Sequence, residues 1–322
     1  MPPRKVEIAG EGDHAGVLSL LRDSFGSKQR ISAGAFSKEF WDWKFENSPY
    51  GRAIVQVIKS RGEVIATGSL WPFSFAHGGE IVRAFETCNV AVDANFRRQG
   101  LFTTLLDARV ELARARGANF LFSFPNNQSL PGYLKSGWQF VGRVPWLIRV
   151  RHPFAVLLSR LHNAKTVAIP IPDSFQLTDS LIEGLEESGN GLESGISLDR
   201  PDGYWNWRFR QRPGREYGVI RSRSGTSSRA IFTLGEKPAG LIEMVVVDLV
   251  ADQEGLQELM PAIIAAADDV GASFIALMKP KALATISFYR RGFIRMHEKN
   301  LVFLPLDPDL PQAIGQIGYW DF

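Results

Sequence analysis

The stretch VAVDANFRRQGLFTTLLDARVELARARG, residues 90–117, passes from an alternating strand through a turn into a long helix, and the architecture can be worked out from it. Val90 and Val92 alternate as a strand requires, Asp93 to Gln99 lose that period, and Leu101, Leu105, Leu106, Val110 and Leu112 return at helical spacing. The turn therefore sits just before Gly100. A helix N-terminus leaves backbone N–H groups unpaired and carries a partial positive charge, so a loop opening there can wrap a pyrophosphate. Arg97 and Arg98 bring full charges to that loop, and Gly100 has no Cβ to block close approach.

Downstream lies FPNNQSLPGYLKSGWQFVG, residues 124–142, about one helix and one strand further on. Together the two strings resemble the GNAT superfamily of N-acetyltransferases. The acyl-CoA loop of that family is written Q/R-x-x-G-x-G/A, and Arg97, Arg98, Gln99, Gly100, Leu101 and Phe102 stand at its positions. Phe102 replaces a small residue there, a departure that narrows the loop or alters how the pantetheine arm lies. The later family string, N-x-x-[AS]-x-x-x-Y followed by Y-x-x-x-G-F, is matched by Asn126, Ser129, Tyr133, Gly137 and Trp138. The resemblance implies acetyl-CoA as acyl donor. It implies that the donor is held by the strand backbone at Val90 and Val92, by residues 97–102 and by Asn126, with backbone N–H groups near Val92 polarising the thioester carbonyl.

A repeat runs through the chain. FWDWKFENSPYG at 40–51 matches YWNWRFRQRPGREYG at 204–218, pairing Trp41 with Trp205 and Trp43 with Trp207 at a spacing of 164 residues. Tyr133, Gly137 and Trp138 match Phe288, Gly292 and Phe293 at a spacing of 155. Copy one reads as strand KVEIAG, a helix over His14–Phe25, an aromatic helix, strands AIVQVIKS and EVIATGSLWPF around a turn at Arg61 and Gly62, then FETCNVAVD, the Gly100 helix and ANFLFSF. Copy two runs from QLTDSLIEGLEESG through its aromatic helix, YGVIRSR, SSRAIFTLG, GLIEMVVVD, a helix over Glu254–Val270 and SFIALM. The expectation is an α/β (α+β) chain of two tandem GNAT-like domains, each a mixed, mostly antiparallel sheet flanked by helices. The expected boundaries are 1–145 for the acyl-CoA domain, 146–172 for a connector, 173–306 for a degenerate copy and 307–322 for an apolar tail. Asp252 and Glu254 stand where copy one has its arginines, so copy two is expected to have lost acyl-CoA binding. The connector segment RVRHPFAVLLSRLHNAK reads as a packed helix rather than one lying on a membrane.

At 322 residues, 45% of them hydrophobic, the chain suits two globular domains. No apolar run approaches the roughly 20 residues of a membrane span, and no secretory leader follows Met1. Cys88 is the lone cysteine, which excludes an intrachain disulfide and fits a reducing cytoplasm. The net charge of +3 argues against a general nucleic-acid binder. Charge is nonetheless uneven: eight arginines fall between Arg200 and Arg229 against Asp202 and Glu216, read as a solvated face with strand-edge charges or, alternatively, as a site for substrate phosphates. The five histidines show no metal spacing, and hydrolase and phosphate-loop strings are absent.

Acyl transfer from a thioester to an amine needs a neutral amine, a stabilised oxyanion and a proton for the thiolate. By the resemblance, Tyr133 supplies that proton; otherwise it is a core aromatic. Glu86, on the strand before the loop, is the carboxylate to draw a proton from the ammonium, or else a salt-bridged strand charge. Asn126 either bonds the pantetheine or caps the following helix. Cys88 alternates with Glu86 and Val90 on an apolar strand and reads as an inert buried thiol. The tryptophans of each pair, two residues apart, are expected on different helix faces, one in the core and one at the cleft or against the partner domain. The expected activity is transfer of an acetyl group to a primary amine acceptor, an amino sugar first and a peptide or antibiotic amine next. The alternatives are a FemX-like transferase using aminoacyl-tRNA and a non-catalytic acyl-CoA sensor.

Overall fold

The computed structural model describes residues 5–25, 36–151, 166–178, 181–182, 196–222, 228–237, 240–251, 253–278, 285–308 and 310. Most of the connector helix read from RVRHPFAVLLSRLHNAK, Asp252 and nearly all of the apolar tail lie outside them. In chain order the first half runs β1 (Val6–Ile8), α1 (His14–Phe25), α2 (Lys38–Trp41), β2 (Ile54–Ser60), β3 (Glu63–His77), β4 (Glu80–Val92), α3 (Leu101–Ala115), β5 (Phe120–Ser123), α4 (Leu130–Lys135) and β6 (Gln139–Val150). The second half runs β7 (Val167–Ile169), β8 (Ser197–Leu198), β9 (Gly218–Arg221), β10 (Arg229–Lys237), β11 (Leu241–Val250), α5 (Gln253–Asp269), β12 (Phe274–Met278), α6 (Thr285–Tyr289) and β13 (Ile294–Pro305).

Two compact units result. The first takes Met1–Arg143, Ser194–Pro201 and Lys299–Gly315, and the second takes Val144–Glu193, Asp202–Glu298 and Gln316–Phe322. Neither is one continuous segment, in contrast to the contiguous blocks 1–145 and 173–306 expected from sequence. In the first unit β1, β2, β3 and β4 pair antiparallel in turn, β4 and β5 pair parallel, and β13 closes the far side antiparallel to β5. The second unit repeats the order: β9, β10 and β11 antiparallel, β11 parallel to β12, and Trp146–Val150 of β6 antiparallel to β12. Both are mixed, mostly antiparallel sheets flanked by helices.

Local sequence explains the pieces that build the site. Arg61 and Gly62, with φ of 52° and 85°, make the tight turn between β2 and β3 that the sequence indicated. Helix α3 starts where Gly100 adopts φ 76°, and it buries Leu101, Leu105, Leu106, Arg109 and Ala113 at helical spacing. Burying each of these leucines is worth about 1.5–3 kcal/mol, enough to fix α3 on the sheet. The register of β3 against β4 slips between Thr67 and Ser69, opposite Asn89, whose φ of 53° marks a bulge. Gly68 faces that bulge because a Cβ there would stand 1.5 Å from Nη2 of the fully buried Arg109.

The W-x-W-[KR]-F strings form the same local structure in both units. Each closes a π-helical turn, Asp42–Glu46 through Asn47 N–H donating to the Asp42 carbonyl at 2.9 Å, and Asn206–Arg210 through Gln211 N–H donating to the Asn206 carbonyl at 3.0 Å. Residues two apart still lie on different faces of such a turn, so the burial of both requires packing on more than one face. Trp41, Trp43, Trp205 and Trp207 are all buried, which corrects the expected one-in, one-out arrangement, although Trp41 also lines a cavity. The arginine-rich stretch of the second unit is only in part a solvated face, with Arg210 and Arg221 exposed. Arg208 and Arg229 are buried, Arg229 lies 5.0 Å from the Trp205 ring centroid, and Arg212 donates to the Tyr217 hydroxyl at 2.9 Å. Burial lowers the Arg212 pKa to about 10.

Candidate functional site

Strands β4 and β5 pair only from Ala84 opposite Phe120 to Glu86 opposite Phe122. Beyond Glu86 they part, and Pro125 two residues after β5 supplies no N–H that could prolong the ladder. The β4 edge past Thr87 is thus left without a strand partner on this side. Two hollows fill the gap. A groove of about 660 Å³ runs along Val90, Ala91 and Val92 to Arg97, Phe102, Asn126 and Gly132. A cavity of about 370 Å³ lies beside it, sharing Phe25, Val90, Phe102, Asn126 and Ser129, and reaches Glu86 and Tyr133.

Of the residues expected to hold acyl-CoA, Val90, Val92, Arg97, Phe102 and Asn126 line the groove. Arg98, Gln99 and Gly100 sit exposed at the start of α3, and Arg98 shares the left-handed conformation of Gly100 at φ 61°. What Gly100 provides is that backbone conformation, since no atom lies within 4 Å of where its Cβ would be. The Leu101 side chain belongs to the core around Ile58, Ile65, Ala66 and Leu105, so only its backbone is placed to meet a ligand. Arg97 Nε donates to the Val92 carbonyl at 3.3 Å, which ties the loop back to the strand. Phe102, bulky where relatives of the resemblance carry a small residue, is accommodated by Gly132, whose Cβ would stand 2.6 Å from Phe102 Cε1. Its ring packs edge-on against Tyr133 at 5.5 Å.

Asn126 organises the turn that precedes α4, whose N-cap is Ser129. Its Oδ1 accepts from the backbone N–H of Gln128 and of Ser129, each at 2.9 Å, which sets up the turn into α4.

Tyr133 is buried, and its hydroxyl lies 3.1 Å from both Thr87 Oγ1 and Ser123 Oγ. Ser123 Oγ donates to the Thr87 carbonyl at 2.7 Å, bridging the two strands where they part. Thr87 and Ser123 were not singled out from sequence, because only the parallel register of β4 and β5 brings them together. Burial pushes the Tyr133 pKa upward against the opposing pull of Arg109 and the two hydroxyls, so the phenol keeps its proton at neutral pH.

Glu86 lines the cavity opposite Trp71 on the neighbouring strand. Burial raises its pKa, and the positive charges of Lys44 and Lys299 oppose the rise. Lys44 belongs to the π-turn motif and lies with Nζ 4.4 Å from the Trp71 ring centroid. Cys88 lines the same cavity; burial pushes its thiol up to about 12, so it carries no thiolate at neutral pH. The last strand also serves the site. Asn300 Nδ2 donates to the Pro125 carbonyl at 3.1 Å and to Asn127 Oδ1 at 3.0 Å, fixing the loop before α4.

Residues 5–141 match the model of the acetyltransferase (GNAT) domain family. No curated protein matches the sequence. Among solved structures, a conserved protein of unknown function and probable N-acyltransferase from Enterococcus faecalis V583 aligns over 95% of this chain and 73% of its own, with TM-score 0.66 and 9% identity. A GCN5-related N-acetyltransferase from Anabaena variabilis aligns over 94% and 72%, with TM-score 0.62 and 15% identity. Saccharomyces cerevisiae N-myristoyltransferase with bound myristoyl-CoA aligns over 94% and 85%, with TM-score 0.62 and 12% identity. These likenesses extend the shared fold across nearly the whole chain. Among the described residues no helix is long and apolar enough to cross a membrane.

Proposed function

We propose, from the match of residues 5–141 to the acetyltransferase (GNAT) domain model, that the first unit transfers an acyl group, acetyl first among them, from acyl-CoA to a primary amine in a ternary complex. The observation that carries this reading is the parting of β4 and β5 beyond Glu86 and Phe122, which opens a polar strand edge onto both hollows. The pantetheine lies along Val90 to Val92, where its amides meet backbone groups that β5 leaves unpaired. The pyrophosphate meets the N-terminus of α3, with Arg97, Arg98 and the backbone from Gln99 to Phe102 around it. The thioester then stands where groove and cavity join, beside Tyr133 and Glu86.

Glu86 takes a proton from the substrate ammonium, and the freed amine attacks the thioester carbonyl. The C–N bond forms, the tetrahedral intermediate collapses with loss of the C–S bond, and Tyr133 protonates the departing sulfur. The proton released from the nitrogen restores the phenol. Thr87 and Ser123 hold the Tyr133 hydroxyl in place. The second unit repeats the element order with Glu254 near the matching helix start, and we read it as a tandem copy that does not hold CoA.

The test is thermal unfolding with acetyl-CoA for the wild type and for Gly100→Asp, which loads a side chain and a negative charge onto the loop. Ligand at 100 times Kd adds about 2.7 kcal/mol to the wild type. A shift that vanishes in the variant supports the reading, and an amine screen that includes amino sugars then seeks the acceptor. Absence of any shift would sink it and bring forward aminoacyl-tRNA as donor. Binding without turnover of any amine would leave an acyl-CoA sensor.

A further inference from the structure

The 370 Å³ cavity has a composition that narrows the acceptor, given the acyl-transfer reading above. It is larger than an acetyl group needs. One side of its wall is apolar, with Leu18 and Leu21 of α1, Phe40 and Phe45 of the aromatic turn, and Phe124, while Thr87, Ser123 and Asn126 make another side polar. Two opposite charges, Glu86 and Lys44, interrupt this wall.

Their geometry is unusual. Trp71 lies between them, directly opposite Glu86 in the sheet and 4.4 Å beneath the Lys44 ammonium. Yet the two charges do not form an ion pair, and among the described residues neither has a hydrogen-bond partner. Glu86 also feels the positive charge of Lys299, and it is held apart from Lys44, which lines the same hollow. An amine that lacks a carboxylate would present its ammonium to Glu86 and leave Lys44 without a counter-charge. An amino sugar has no carboxylate and would likewise leave Lys44 without a counter-charge.

We propose that the acceptor is a free amino acid with an apolar side chain, its α-ammonium at Glu86, its carboxylate at Lys44 and its side chain among Leu18, Leu21 and Phe40. The zwitterion spans the gap that separates the two protein charges. Glu86 accepts one ammonium proton, the amine nitrogen bonds to the acyl carbon, the C–S bond breaks, and CoA leaves as the thiol with the proton from Tyr133. The product is an N-acyl amino acid and one proton is released overall. Lys44 keeps its hold on the carboxylate throughout, so it is a binding residue that sets which amines are taken.

The experiment compares L-leucine and L-phenylalanine with their amides, with the amines that lack the carboxylate, and with glucosamine, all with acetyl-CoA, reading thiol release. A charge-assisted hydrogen bond in such a site corresponds to a preference of about 10- to 100-fold in kcat/KM for the free acid over the amide. Lys44→Met and Lys44→Gln abolish that preference chiefly through KM, and Lys44→Arg restores much of it. The acetyl-CoA melting shift, read in parallel, confirms that each variant is folded. Equal rates on acid and amide, faster turnover of glucosamine, or a preference that survives Lys44→Met overturns the zwitterion while leaving acyl transfer intact. Acetyl-CoA binding with no amino acid turned over overturns it as well. Loss of acetyl-CoA binding in the wild type removes the underlying reading first.

Discussion

Glu86 and Tyr133 face the same cavity and are both pushed upward in pKa by burial, with opposite consequences. For the phenol the shift keeps the proton it is to donate. For the carboxylate it delays ionisation, so activity follows the fraction of Glu86 that has lost its proton. The pH profile of kcat/KM therefore gains an acidic limb above the ordinary Glu value of about 4.3. Glu86→Gln removes the limb and lowers kcat by about 10²–10⁴-fold. Stability carries the same signature with its own sign. The folded chain holds the Glu86 proton at pH values where the unfolded chain has released it, so this group's contribution falls as pH rises through the folded pKa. The melting temperature of Glu86→Gln is thus expected to match the wild type near pH 4 and to exceed it toward neutrality, measured by calorimetry across that range. An unchanged difference from acid to neutral pH contradicts the burial argument. Motif spacing singled out Tyr133 and Asn126 in the sequence, and position on the strand before the loop singled out Glu86; all three line one cavity. Lys44, Thr87 and Ser123 were not, because each acquires its role from a neighbour on another element.

At the scale of elements, the start of α3 was the most legible feature, since a change of hydrophobic period and one glycine mark it within a single window. The compensation between Phe102 and Gly132 was hidden, because it joins the first turn of α3 to the middle of α4 across 30 positions. A methyl at Gly132 would lie 2.6 Å from Phe102 Cε1. Gly132→Ala is expected to cost about 1–3 kcal/mol from overpacking. In a Phe102→Ala background, where the ring is gone, the same change costs much less. A double-mutant cycle by denaturant unfolding reads the coupling directly, and additivity of the two changes would contradict the contact. The π-turns were visible as a repeated string but not as π-turns. The sequence pattern of an α-helix and that of a single wide turn differ by one inserted residue, which hydrophobic spacing over five positions does not resolve.

For the molecule as a whole, the repeated order of strands and helices was readable from landmarks, whereas the ownership of the last strand was not. Val302 to Pro305 pair with Phe120 to Ser123, a match across some 180 positions that no local pattern encodes. The first unit depends on it. Phe303 stacks on Phe120 at 4.9 Å, Leu306 N–H donates to the Asn119 carbonyl at 2.9 Å, and Asn300 holds the loop before α4. A chain cut at residue 145 has every motif of the acyl-CoA site and lacks this strand. It would expose the edge of β5, with Phe120, Leu121 and Phe122 losing cover, and such an apolar edge invites pairing between copies. The fragment 1–145 is therefore expected to aggregate and to show no melting shift with acetyl-CoA at concentrations that stabilise the intact chain by about 2.7 kcal/mol. Supplying residues 294–308 at the end of the fragment through a flexible linker should recover a cooperative transition and the shift. If the bare fragment proves monomeric and binds acetyl-CoA as the full chain does, then β13 is dispensable and the first unit is self-contained after all.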